Sequence, residues 1–121
     1  MMHDGVCVKN FLYVGILRQL HVYSLDTLNH ISTCKTLRFP KRIIPLWEKY
    51  LILIFMTNQW IEVYDLDKAE IITSFNISGS MQSTVYDAVK LDENTICLGM
   101  MRGMQRIRFT EDALNYIRVE I

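Results

Sequence analysis

An internal repeat with a period of about forty residues constrains this chain more than any other feature. A unit that short cannot bury its own apolar faces, so tandem copies must stack on one another, and the period decides the architecture before any single strand is assigned. The segment His21-Val22-Tyr23-Ser24-Leu25-Asp26-Thr27-Leu28 aligns, 41 residues on, with Glu62-Val63-Tyr64-Asp65-Leu66-Asp67-Lys68-Ala69, with four identities in eight. Upstream of it, the apolar segment from Phe11 to Leu17 matches Tyr50 to Met56 and Thr95 to Met101. Leu28-Asn29-His30-Ile31 returns as Leu114-Asn115-Tyr116-Ile117, which recovers the third copy where its middle has drifted. Three copies therefore occupy roughly 1–40, 41–80 and 81–121 of the 121 residues.

Within each copy the hydrophobic pattern changes from strand to strand. The second strand is apolar on both faces: Tyr50 to Met56 has no polar side chain and Thr95 to Met101 only its first. Such a run is covered by protein on both sides. The third strand is mixed (Leu20, Val22, Tyr23, Leu25; Ile61, Val63, Tyr64, Leu66). The fourth alternates openly, as in Ile71, Thr73, Phe75 against Ile72, Ser74, Asn76, the signature of a half-exposed edge. First-strand candidates are Gly5 to Val8, Ile43 to Trp47 and Val85 to Leu91. They reach the second strands through Lys9-Asn10, Glu48-Lys49 and Asp92-Glu93-Asn94. Two- and three-residue polar links suit antiparallel neighbours and leave no room for a crossover helix. Pro45 falls in a first strand, which must then be an edge.

Each copy is thus a four-stranded antiparallel meander, and the fold class is all-β. The residues Val63-Tyr64-Asp65-Leu66 resemble the V-W-D-L that closes the third strand of WD-repeat blades. The chain is similar over nearly its whole length to a β-propeller of the WD-repeat family, without that family's upstream Gly-His dipeptide. The resemblance implies a single propeller-like domain over 1–121, built of three blades, that serves as a non-catalytic protein-protein interaction or scaffold module. The alternative it leaves open is part of a propeller enzyme, hydrolase- or glycosidase-like, whose active site needs further blades. Closed propellers have about four to eight blades, so three blades leave three readings: association with further blades as a piece of a larger propeller, a homodimer closing a six-bladed ring, or an unclosed or alternative β fold.

Composition narrows the partners. Thirteen basic and thirteen acidic side chains leave no net charge with histidines neutral, whereas general nucleic-acid binders carry a basic excess; no nucleic-acid partner is expected. The longest apolar run, Tyr50 to Met56, is far short of a spanning helix, and no membrane association is expected. The amino-terminal residues Met1 to Gly5 lack a basic region followed by an apolar stretch, so the expected location is cytoplasmic. Cys7, Cys34 and Cys97 are odd in number and flanked by apolar or β-branched residues, which reads as reduced, buried thiols.

No catalytic motif is present: no G-x-S-x-G, no phosphate-binding glycine loop, and no cysteine or histidine pair at zinc spacing. No cofactor or metal is expected, and the paired acids Asp65 with Asp67 and Asp92 with Glu93 belong to turns. Two basic groups carry the candidate binding residues. Lys35, Arg38, Lys41 and Arg42 lie across the link between copies one and two, and Arg102, Arg106 and Arg108 form the second group, with Arg106 and Arg108 on one face of a strand. Arginine forks at inter-blade loops would take an acidic peptide or phosphate; the same charges also serve as solvated loop and edge residues that block strand pairing. The loops Lys35 to Arg42 and Asn76 to Thr84 would present themselves to a protein or peptide partner. Met81, Met100, Met101 and Met104 read as core filler, and Trp47 and Trp60 as inter-blade packing.

Overall fold

A computed structural model describes residues 2–55, 60–76, 85–101, 103–110 and 116–120. Twelve strands follow one another: β1 (Met2–Val8), β2 (Phe11–Ile16), β3 (Gln19–Ser24), β4 (His30–Lys35), β5 (Pro40–Leu46), β6 (Tyr50–Phe55), β7 (Trp60–Asp65), β8 (Glu70–Asn76), β9 (Val85–Lys90), β10 (Thr95–Met100), β11 (Gly103–Phe109) and β12 (Tyr116–Glu120). They form three antiparallel sheets, β1-β2-β3-β4, β5-β6-β7-β8 and β9-β10-β11-β12, each one copy of the repeat. The sheets are three propeller blades, and the first strands β1, β5 and β9 converge on one edge.

The double-sided apolar strand explains the stacking. Successive side chains of a strand point to opposite faces, and in β6 these faces belong to different cores. Leu51, Leu53 and Phe55 pack with Val8, Tyr13, Leu20 and Val22 of blade 1. Ile52 and Ile54 pack with Val85, Ala88, Ile96, Leu98, Ile107 and Phe109 of blade 3. All five β6 side chains are fully buried. The fourth strands β4 and β8 are mostly exposed or half-buried. Trp47 packs at the blade 2–3 core and Trp60 at the blade 1–2 core.

Turn chemistry repeats with the blades. Ser24 to Leu28 and Asp65 to Ala69 are equivalent turns, each closed by a backbone bond from the last residue to the first (Leu28 N to Ser24 O, 2.8 Å; Ala69 N to Asp65 O, 2.8 Å). Leu28 and Ala69 both take positive φ, 60° and 56°. Asp65 Oδ1 accepts the amides of Asp67 and Lys68 at 2.9 and 3.0 Å, the turn role expected of an aspartate. At Gly15 a Cβ would lie 3.1 Å from the ring of Pro40. Only glycine lets the start of blade 2 approach blade 1 that closely.

Several expectations are corrected. β5 begins at Pro40, not Ile43, because Lys41 and Arg42 continue the ladder across a bulge while their charged side chains mask it in the sequence. Trp47 leaves the strand, entering with Glu48 a turn in which both have a φ of 54°. Pro45 does lie on an edge strand. Of the three thiols only Cys97 is buried; Cys34 is half-buried and Cys7 exposed. Cys7 pairs with Leu12 on the face of blade 1 turned away from blade 2, which no other described blade covers. Met101 and Met104 are exposed, and Met100 alone of the described methionines of that group packs against a core.

Leu53→Ala is expected to cost about 3 kcal/mol by leaving a cavity between two blades, while Ala69→Gly relieves a left-handed strain and gains about 0.5 kcal/mol. Urea unfolding monitored by far-ultraviolet circular dichroism measures both.

Candidate functional site

The convergent edge brings together three side chains from equivalent places in the repeat. Gly15, Ile54 and Gly99 occupy the same position of the second strands, and their ladder partners on the first strands are Asp4, Arg42 and Asp87. Arg42 forms a two-pronged pair with Asp87, Nε to Oδ1 at 2.6 Å and Nη2 to Oδ2 at 3.1 Å. Its Nη1 lies 3.8 Å from Asp4 Oδ1. Asp4 Oδ2 in turn accepts the Ile43 amide at 2.8 Å, and Asp87 Oδ1 the Ala88 amide at 2.8 Å. One arginine thus ties all three blades at their inner edge. The Arg42 hydrogen bonds, with the Ala88 amide, hold the Asp87 carboxyl down at about 2.

A second polar contact fastens blade 1 to blade 2. Glu62 Oε1 accepts the Leu37 amide at 2.6 Å, across the link from β4 to β5. Burial pushes the Glu62 carboxyl above its ordinary range. Tyr64, 1% exposed, stands edge-on to Tyr13 with ring centroids 6.0 Å apart, and its hydroxyl is bonded to Ser32 of blade 1. Burial, chiefly, pushes that hydroxyl up to about 12.

The structure spreads the first basic group along the crossing from outer to inner edge. Lys35 is exposed at the end of the outer strand β4, and Arg38 is exposed in the link, where its carbonyl accepts the Thr36 hydroxyl at 2.7 Å. Lys41 and Arg42 are half-buried on the inner strand β5. Arg18 joins this end of the blades through Nη2 to the Leu37 carbonyl at 3.1 Å. In the second group Arg106 and Arg108 share one face of β11, opposite Cys97 and Thr95. Arg102 lies outside the described residues, as do 77–84 of the second candidate loop. Sequence reasoning missed Asp4, Asp87 and Glu62. The available signal was an acid two residues or fewer from apolar ladder positions, repeated in the first strands of blades 1 and 3.

At the opposite end of the blades, where Leu25, Leu66 and Phe109 donate backbone bonds to Asn10, Lys49 and Asn94, a cleft of about 490 Å³ opens beside the inner strands. Cys7, Lys9, Trp47, Glu48, Lys90 and Glu93 line it. Trp47 is held there by donation from Nε1 to Asn94 Oδ1 at 2.8 Å. Among the described residues no three His, Cys, Asp or Glu side chains gather at metal-binding distance, and no helix is long and apolar enough to cross a membrane.

No protein-family model matches the sequence, and no curated protein matches it. Solved structures do. The chain is similar to the RRP9 WD40 repeats at 7% identity and a TM-score of 0.74, over 96% of this chain and 37% of that one. It is similar to the β-propeller domain of Myceliophteria thermophila Cps50 (Swd1) at 14% identity and 0.66, over 95% and 38%. It also matches Kuenenia stuttgartiensis hydrazine synthase at 17% and 0.70, over 98% and 33%. The fold is therefore that of WD-repeat-type β-propeller blades, and the chain spans little more than a third of the length of the propellers it matches.

The two carboxyls respond oppositely to pH. Asp87, lowered in the fold to about 2, contributes stability present above the ordinary aspartate value and lost as pH falls from about 4 toward 2. Its pair is largely exposed, so Asp87→Asn is expected to remove only about 0.5–1 kcal/mol at neutral pH. Glu62, raised by burial, binds its proton more tightly in the fold, so its contribution weakens as pH rises through its titration. Glu62→Gln keeps an acceptor for Leu37 and is expected to be neutral or stabilising at pH 7. Urea midpoints measured from pH 2 to 8 on both variants distinguish these signs.

Proposed function

We propose that the chain is a non-catalytic protein-interaction module in the cytosol, in which rigid WD-repeat-type blades hold the basic link between blades 1 and 2 toward an acidic protein or peptide. The observation that carries this reading is the way the link is held. Glu62 grips the Leu37 amide and Arg18 the Leu37 carbonyl, so the backbone between Lys35 and Arg42 is fixed. A pre-organised loop loses little entropy on binding. The WD40 structures among the matches support an interaction scaffold, and the free thiols fit a reducing compartment. Arg106 and Arg108, on one face of β11, lie apart from that link. Arg42 acts within the fold, its charge taken up by Asp87 and Asp4.

The enzyme reading is favoured by one observation, the match to hydrazine synthase. Against it, the acid-arginine cluster at the convergent edge, Asp4, Arg42 and Asp87, is satisfied by its own members and by backbone amides.

Affinity capture with the intact chain, followed by titration of each purified captured protein, tests the interaction reading. Lys35→Glu is expected to weaken binding about threefold or more and to reduce its salt dependence, with the unfolding midpoint unchanged. Equal binding by parent and variant overturns the role of the link.

A further inference from the structure

Each blade has one face toward the blade before it and one toward the blade after, and the repeat allows the three forward faces to be compared position by position. The central row of that face is Tyr13, Val22 and Ser32 in blade 1, and Ile52, Val63 and Thr73 in blade 2. Val22 and Val63 are buried, at 5% and 0% exposure, under the following blade. In blade 3 the row is Cys97, Arg106 and Val119. An arginine stands where the two completed interfaces have valine.

Arg106 is half-buried. Its Nε is inaccessible to water and has no hydrogen-bond partner among the described residues. A guanidinium N–H removed from water without an acceptor is costly, and a carboxylate is the group that offsets the cost best, with geometry matched to the arginine fork. Its neighbour on the same face, Arg108, already has Asp92 nearby, which its charge helps to keep ionised. Arg106 alone on this face lacks a counter-charge among the described residues.

The shape of the face agrees. In blade 1, Gly15 admits the ring of Pro40 from the next blade at a distance a Cβ would forbid. Gly99 holds the equivalent place in blade 3, and there a Cβ would meet only Asp87 O, of the same blade, at 3.8 Å. Among the described residues, nothing from another blade fills in blade 3 the slot that receives a neighbour's first strand in blade 1. At the completed blade 1–2 interface it is Tyr64 that lies over the central row, against Tyr13 and bonded to Ser32.

We propose that the open face of blade 3 docks a further four-stranded blade that presents an aspartate or glutamate to Arg106, at or beside the place Tyr64 takes over blade 1. A second copy of this chain does not supply that group. The backward face of its blade 1 offers Leu12, Val14, Tyr23 and His21, with Tyr23 at the Tyr64 place. It would also set Asp4 beside Asp87 at the inner edge, like charge against like.

The chain's own blade 1 nevertheless supplies a probe, because its backward face has the shape of a docking blade and lacks only the acid. In Tyr23→Glu each copy carries both halves of the proposed contact. Sedimentation velocity over a concentration series is expected to show head-to-tail association about tenfold tighter than the parent chain, weakened by salt, and returned to the parent level when Arg106→Met is added. Far-ultraviolet circular dichroism and urea midpoints establish that each variant is folded. Should Tyr23→Glu fail to fold, His21→Glu, at the Glu62 place, carries the same expectation. The proposal is overturned if the acidic variant associates no more tightly than the parent chain. It is equally overturned if Arg106→Met alone associates as tightly as Tyr23→Glu, which would show that the face accepts any apolar sheet.

Discussion

From Leu51 to Phe55 strand β6 has no face in contact with water, and the arrangement of the other eleven strands follows from that constraint. Its five side chains from Leu51 to Phe55 are fully buried, each contributing about 1.5–3 kcal/mol when removed from water. Because the pleat sends alternate residues to opposite sides, the strand cannot be covered by one sheet. Leu51, Leu53 and Phe55 require blade 1, and Ile52 and Ile54 require blade 3. Blade 2 is accordingly the keystone, and the two cores share it without sharing a side chain.

Apolar burial stacks the blades but does not align them, since it is non-directional. Alignment comes from polar contacts that cross each interface at defined places. Arg42 reaches Asp87 and Asp4 at the inner edge, Tyr64 meets Ser32 within the blade 1–2 interface, and Glu62 holds the Leu37 amide where the chain crosses between blades. The close seat of Pro40 on Gly15 adds a steric stop. The same comparison singles out blade 3, where an arginine replaces the valine of the completed interfaces and no described residue of another blade fills the glycine slot.

Much of this was legible in the residues. The repeat, the double-sided second strands and the short polar links specify four-stranded blades, because period and loop length are local properties that a linear sequence displays directly. The tryptophans were rightly read as inter-blade packing, and Asp65 as a turn residue. What was misread involved faces. Cys7 sits among apolar neighbours in sequence yet is exposed, since its side of blade 1 faces away from blade 2, the described blade that packs on it. The start of β5 was hidden because Lys41 and Arg42 look like loop charges until Phe55 and Ile54 pair alongside. The cations from Lys35 to Arg42 form one cluster in sequence and a path from outer to inner edge in space.

The sequence by itself determined the blade: strand number, order, direction and the gradient of burial from second strand to fourth follow from patterns within forty residues. Only the tertiary structure decided which charges are spent within the fold, because Asp4, Arg42 and Asp87 are separated by dozens of residues and meet through the convergence of three first strands. The identity of each exposed face was decided there as well, since a face is defined by the sheet that covers it or does not.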